Sequence, residues 1–443
     1  METALPFLMF LALIVVLLSG FPVAFGLGGV AIAFGFLGHS LDLFYLSDFE
    51  FVPSKIFGIM SNVTLLAVPL FIFMGIMLER SGIAEELLTT MELVCRKVRG
   101  GLTISIVLVG ALLAASTGIV GATVVTMGVL SLPTLLKRGY NIELSCGTIA
   151  TSGTLGQIIP PSIVLVLLGD MMNVDVGDLF IGAILPGLFL VVLYLLYIYL
   201  RTTFQPELAP LLSEEEQKTL TRKEYVLLLL RSFVPPTLLM FVVLGSILGG
   251  VASPTEAAAC GAMGALLLTW AKKRLCLETL SSVLHTTTQI TSMVFMLLIG
   301  AQFFSVVFRG LAGDEVIMDV VTSLEVSKNV ILLAVMVLMF VLGFFLDFIE
   351  ICFIVVPIVT PLLYSLGFDP LWLAILIAIN LQTSFLTPPF GFSLFYLKGV
   401  APPEVTTLHI YKGVFPFVLL QLFALVVLWL FPAIVTWLPR IVF

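Results

Sequence analysis

Two stretches, residues 179–200 and 415–438, each run for more than 20 residues without a single charge. At about 1.5 Å per residue in a helix, either is long enough for a hydrocarbon core of about 30 Å. A chain carrying such runs must satisfy its backbone polar groups internally, which a helix does within one segment. The composition agrees: of 443 residues 60% are hydrophobic and 11% charged, outside the range of soluble domains. The fold class expected is therefore an all-α polytopic membrane protein.

The opening "METALPFLMFLALIVVLLSG" has no basic segment ahead of its apolar run, so it reads as a retained first span rather than a cleaved signal. The cysteines (Cys95, Cys146, Cys260, Cys276, Cys352) show no metal-type spacing and lie mostly in apolar runs. The net charge of −7 is carried by loops such as "LLSEEEQ", which read as solvated segments, and no nucleic-acid partner is expected.

Further apolar runs suggest spans near residues 5–19, 21–38, 56–78, 228–248, 254–271 and 286–308, with the two charge-free runs extending to 178–200 and 413–438. Regions 101–172 and 329–399 read differently, each holding long apolar pieces interrupted by small, polar or proline residues. Lys and Arg accumulate on the cytoplasmic side of a membrane protein. If residues 101–136 and 329–366 form re-entrant hairpins from opposite sides, only Lys55, Arg309, Lys328 and Arg440 fall outside. Both termini then lie outside, on the face opposite the cytoplasm. Two full spans over 101–119 and 120–136 satisfy the charges equally well, but about 35 apolar residues broken by Ser-Thr-Gly are short for two crossings.

An offset of 228 brings the two halves into register: Gly82 and Ala84 fall on Gly310 and Ala312, Pro133 on Pro361, Gly139 on Gly367, Ile149 and Ala150 on Ile377 and Ala378, and Pro160 and Pro161 on Pro388 and Pro389. We read this as an internal duplication. The first repeat covers 1–205, with a hairpin near 101–138 and a broken helix near 142–172. A cytoplasmic connector covers 206–224. The second repeat covers 225–443, with a hairpin near 329–366 and a broken helix near 370–399. An odd number of crossings per half inverts the second copy, an architecture of secondary transporters that hold substrate and ions at broken helices near the midplane.

A proline inside a helix costs about 3 kcal/mol or more, so the paired prolines ask for a compensating use of the freed backbone groups. "GTLGQIIPPS" and "LQTSFLTPPFG" are the two breaks. Pro160, Pro161 and Ser162 are expected to start a new half-helix, proline being suited to a first helical turn. Its N–H groups suit a carboxylate, while the carbonyls from Gly153 to Gln157 suit sodium. Gln382, Thr383, Ser384, Thr387, Pro388, Pro389 and Gly391 repeat the arrangement. The hairpin tips, "ASTGIVGAT" and "GFFLDFIE", should face these breaks. Asp347 and Glu350 lie deep in apolar sequence, where acids are functional or paired. A coupling-ion role for Asp347 and a tip-stabilising role through accepted backbone N–H bonds both fit.

At these residues the chain resembles the large membrane subunit, the DctM-type permease, of tripartite ATP-independent periplasmic (TRAP) transporters. The resemblance covers nearly the whole chain, through "VPLFIFMGIMLERSGIAEEL", "GTIATSGTLGQIIPPSIVLVLLG", "FLDFIEICFIVVPIVTPLLYSLGFDPLW" and "NLQTSFLTPPFGFSLFYLKGVAP". It implies a sodium-driven importer of elevator-type architecture in the bacterial inner membrane. It also implies a small four-helix DctQ-type membrane subunit and a periplasmic DctP-type binding protein that delivers a small carboxylate. The family's sodium sites carry over to Ser116, Gly118, Gly153, Gly156, Gly343, Asp347, Thr383 and Thr387. The substrate site is expected at Ser116, Thr117, Thr154, Gln157, Pro160, Pro161, Ser162, Gln382, Ser384, Pro388, Pro389 and Gly391. With no Arg or Lys at either break, helix N-termini and hydroxyls are expected to meet the carboxylate. The long connector 201–224 and "FIEIC" point to monocarboxylates such as 2-oxo or hydroxy acids, with C4-dicarboxylates open. Other readings are a stand-alone sodium/anion symporter of the same architecture, an intramembrane hydrolase using Asp347 and Glu350, and a channel. The last two lack, respectively, a second catalytic Asp or His pair and a ring of repeated charges.

Overall fold

A computed structural model of the chain describes residues 4–95, 97–118, 120–210, 222–323 and 326–442, all helices, turns and loops without a strand among them. The helix ends follow local chemistry. Asn141 caps Ile142–Thr154 by accepting the Leu144 N–H at 2.9 Å, and Asp369 caps Pro370–Leu386 by accepting the Trp372 N–H at 2.8 Å. Just before each cap, Gly139 (φ +74) and Gly367 (φ +80) close the preceding hairpin helix in the left-handed conformation that a glycine adopts without penalty. Tyr140 N–H then reaches Leu135 O, and Phe368 N–H reaches Leu363 O. All of these positions correspond at the offset of 228, so the two halves share turn geometry as well as residues.

Each half contributes a hairpin and a broken helix. The first hairpin is Gly101–Thr117 and Val120–Lys137; the second is Lys328–Leu342 followed by Phe348–Ile354 and Val356–Ser365, which bend by 55°. The first broken helix runs Ile142–Thr154, a short turn at Leu155–Gln157, then Ile163–Met172; the second runs Pro370–Leu386, then Phe392–Val400. By length and apolarity five helices among the described residues can cross a membrane, or eight when bent pairs are counted as single spans.

The helices sort into two packing groups that cut across the halves. The outer group joins Leu5–Leu18, Val23–Ser40 and Ala67–Arg80 to Val234–Leu248, Pro254–Ala271 and Leu277–Gly310, and Ile83–Cys95 bridges from Ala67–Arg80 to the first hairpin leg, Gly101–Thr117. The inner group joins both hairpins and both broken helices to Val176–Phe204 and Thr407–Leu430. Within it each half clasps the other: Phe392–Val400 lies on the first hairpin, and Ile163–Met172 lies on the second. Gly147 and Gly413 let two helices of this group cross backbone to backbone, since a Cβ on either would collide with the facing carbonyl.

Several expected spans are divided. The run 413–438 stops at Leu430 and restarts at Ala433, because Pro432 has no N–H to continue the ladder. The run 56–78 is interrupted at residues 61–63, and the helices on either side bend by 57°. The run 228–248 bends by 47° between Ser232 and Val234. The run 286–308 lies inside a longer helix, Leu277–Gly310. The paired prolines do not occupy first helical turns. Ser162 and Gly391 are the N-caps, so Pro160, Pro161, Pro388 and Pro389 belong to the unwound links, where both Pro-Pro bonds are cis.

Candidate functional site

The two breaks are held open by the same device. Ser162 Oγ donates to Gln157 O at 2.8 Å, and Ser393 Oγ donates to Phe385 O at 3.0 Å, each bridging from the new half-helix to the end of the old one. The hydroxyls of Thr154, Thr383 and Thr387 donate to the carbonyls of Thr151, Ile379 and Thr383, and Ser384 donates to Phe340 O of the second hairpin. A hydroxyl that donates in this way keeps lone pairs free to accept or to ligate a hard cation.

Each hairpin tip rests on the break of its own half. Gly118 (φ +58) sits between the legs of the first hairpin, and a Cβ there would lie 3.2 Å from the Ile163 N atom, at the start of the first half-helix. Gly153 receives the other leg, with a Cβ position 3.1 Å from Val124 N. In the second half Gly343 ends Lys328–Leu342, and a Cβ there would lie 2.9 Å from Ser384 Cβ and closer still to its Oγ. Asn380 Nδ2 donates to Met336 O at 2.8 Å, fixing the same helix pair.

The breaks also meet one another. Gln382 Nε2 donates to Thr154 Oγ1 at 3.5 Å, between residues 228 apart. Behind this contact Gln421 Nε2 donates to Tyr194 OH at 2.7 Å, all four side chains being fully buried. Gln382 Oε1, both polar atoms of Gln157, and the Thr148 and Thr151 hydroxyls have no protein partner although buried. Unpaired buried polar atoms are costly unless a ligand or water meets them. Among the described residues no three His, Cys, Asp or Glu side chains converge, and the side chains that the two breaks offer are hydroxyls and amides.

Asp347 is the N-cap of Phe348–Ile354. Its carboxylate accepts the Phe348 N–H at 2.6 Å, and Glu350 accepts the Asp347 N–H at 3.0 Å, closing a capping box. The second tip is thus organised by its own acids.

A cavity of about 410 Å³ lies between the outer group and the tips, lined by Glu79, Arg80, Ile290 and Met293 on one side and by Gly118, Gly121, Asp347, Phe348 and Tyr396 on the other. Of the residues nominated from sequence, it is lined by Gly118 and Asp347; the nominated break residues are not among its lining, although Ile163 and Phe385, which flank the breaks, are. Gly156 is buried in the turn Leu155–Gln157. The side chains of Ser116 and Thr117, nominated from sequence, lie outside those described. Sequence reasoning did not nominate Glu79, Arg80 or Tyr396; the signal available was "MLER", a charged pair closing an apolar helix. A larger groove, about 760 Å³ between Lys328–Leu342 and Thr407–Leu430, is apolar apart from Asn329 and Asn380 and gathers no convergent polar set.

The sequence matches the family model described as Tripartite ATP-independent periplasmic transporter, DctM component, over residues 10–434. It is 32% identical over 349 residues to the C4-dicarboxylate TRAP transporter large permease protein DctM of Pseudomonas aeruginosa, covering 78% of this chain and 79% of that protein. It is 29% identical over 410 residues to the isethionate TRAP transporter permease protein DctMQ of Oleidesulfovibrio alaskensis, covering 92% of this chain and 62% of that protein. In fold it resembles the YdaH transporter of Alcanivorax borkumensis, with a TM-score of 0.61 at 16% identity over 87% of this chain and 88% of that one.

Proposed function

The chain belongs to the DctM component family of tripartite ATP-independent periplasmic transporters, and on that premise we propose that it imports a small organic acid across the bacterial inner membrane by coupling it to sodium. The chain is a transporter permease subunit and not an enzyme, as its relatives are. The inner group is the moving part and the outer group the scaffold, in the manner of an elevator. The observation that carries this reading is the Gln382–Thr154 contact, between residues one repeat apart and beside unpartnered buried oxygens. Two breaks that meet at equivalent positions are what a two-fold axis between inverted copies requires.

In this reading the repeats are 1–205 and 225–443, both termini are periplasmic, and residues 206–224 connect the halves in the cytoplasm; residues 211–221 lie outside those described. Sodium is held by oxygens at the breaks and tips, drawn from Gly118, Gly153, Gly156, Gly343, Asp347, Thr383 and Thr387. Two relatives bear the names of a C4-dicarboxylate and of isethionate transporter, so the shared substrate chemistry is a small organic anion. The partners are a periplasmic binding protein that delivers the acid and a small membrane subunit. The relative named as a DctMQ permease protein, of which this chain covers 62%, supports a Q-type partner.

The test is uptake of radiolabelled succinate, lactate and isethionate into vesicles holding all three proteins, with each protein omitted in turn. Uptake that needs every component establishes the tripartite assembly and names the acid. Equal uptake by this chain alone makes it a stand-alone symporter and removes the partners.

A further inference from the structure

The cavity between scaffold and tips is lined by two carboxylates and one cation. Glu79 is held by the Thr126 hydroxyl, and Asp347 accepts the Phe348 N–H. An anion entering would meet both acids, and the one side chain of opposite charge lining the space is Arg80. Two cations at that end of the scaffold are engaged elsewhere: Lys272 pairs with Glu86 at 2.6 Å, and Arg274 donates to Ser81 O at 2.9 Å. Arg80 itself has no ion pair or hydrogen bond to a described residue and is exposed to the cavity. The second half offers no counterpart: Phe308 falls on Arg80 at the offset of 228, and the neighbouring Arg309 is paired with Asp314 at 3.3 Å.

We propose that Arg80 receives the negatively charged group of the transported acid, an inference that rests on the organic-acid transport reading above. A guanidinium presents two parallel N–H donors that match a carboxylate or sulfonate. It therefore supplies the charge that the breaks lack, while the half-helix beginning at Ile163, which also lines the cavity, meets the remainder of the substrate. Position makes the contact directional. Arg80 ends a scaffold helix, whereas Gly118 and Asp347 belong to the inner group. The bond exists only while the inner group presents its tips to this end of the scaffold, and it breaks when the group moves away. Arg80 is thus a residue of one face, serving capture or release on the side where Lys272 and Arg274 lie.

The experiment measures initial rates for radiolabelled succinate, lactate and isethionate in oriented vesicles carrying the complete transporter. Substrate is presented separately at each face, for the wild type, Arg80→Gln, Arg80→Lys and the control Arg309→Gln. Losing a charge-assisted hydrogen bond should raise KM about tenfold or more at the Lys272 face. The opposite face and the elution profile of the purified protein should stay as in the wild type. Arg80→Lys should recover part of the loss, and Arg309→Gln should match the wild type. An unchanged KM in Arg80→Gln overturns the assignment, and so does an equal rise at both faces, which marks a structural role. A wild type that moves none of the three acids removes the transport reading and this inference with it; a transporting wild type with an indifferent Arg80→Gln removes this inference alone.

Discussion

Replacing Gly343 by alanine tests the seat of the second hairpin tip on its break. The backbone at Gly343 is right-handed helical (φ −67), so alanine adopts it freely and gains up to about 1 kcal/mol of helix propensity. Against this, the new methyl lies 2.9 Å from Ser384 Cβ and nearer still to Oγ, inside any permitted contact. Ser384 is fully buried, and its Oγ donates to Phe340 O at 2.6 Å. Turning the hydroxyl away forfeits that bond, at about 1–3 kcal/mol, and the residual crowding adds about 1–3 kcal/mol. The net expectation is a loss of about 1–6 kcal/mol. Ser384→Ala alone should cost about 1 kcal/mol. The double variant should be less damaged than the sum of the singles by about 1–2 kcal/mol, because the colliding oxygen is gone. A reversible unfolding titration with SDS in mixed micelles, followed by tryptophan fluorescence, reads this; Trp372 is buried in the inner group and bonded to Leu428 O. Additivity within about 0.5 kcal/mol would refute the contact.

Asp347→Asn keeps the N-cap, since asparagine caps as well as aspartate. Its unfolding midpoint should stay within about 0.5 kcal/mol of the wild type, while the sodium concentration for half-maximal uptake rises about tenfold; lost stability with unaltered sodium dependence would leave Asp347 a cap alone. At the edge of the scaffold, burial would raise the Glu86 carboxyl, but hydrogen bonds from Lys272 and Ser232 and the charges of Lys272 and Arg274 hold it below the usual carboxylate value. That stabilisation is present above a pH of about 4.5 and is lost as pH falls through the depressed value in the folded protein. The melting temperature of the wild type should therefore fall more steeply below this pH than that of Glu86→Gln, and parallel curves would count against it.

The breaks are legible because paired prolines recur at the same offset in both halves, whereas single prolines such as Pro186 and Pro416 sit inside continuous helices. The register of 228 was legible because Gly139, Gly367 and the proline pairs occupy positions that the backbone itself constrains. The structure adds what spacing cannot carry. Pro160 and Pro388 look like helix starts in isolation, yet each lies in an unwound link, because a serine two residues or more beyond ties the half-helices together instead. Asp347 and Glu350 stand out in sequence as a pair of intramembrane acids suited to an ion or to the backbone N–H groups of the tip, and the helix beginning at Phe348 shows the second use, a capping box. Pro432 divides a run whose apolarity suggests continuity. Arg80 was hidden because its importance depends on which cations nearby are already paired, a property of packing across helices far apart in sequence.

Sodium-coupled import is tested most directly by the accumulation of the transported acid in vesicles holding the three proteins, with sodium imposed at the binding-protein side, at both sides or at neither. Sodium coupling gives accumulation above equilibrium only with the inward sodium gradient, and its collapse when sodium is equal on both sides. Accumulation of the same size in sodium-free medium would contradict it.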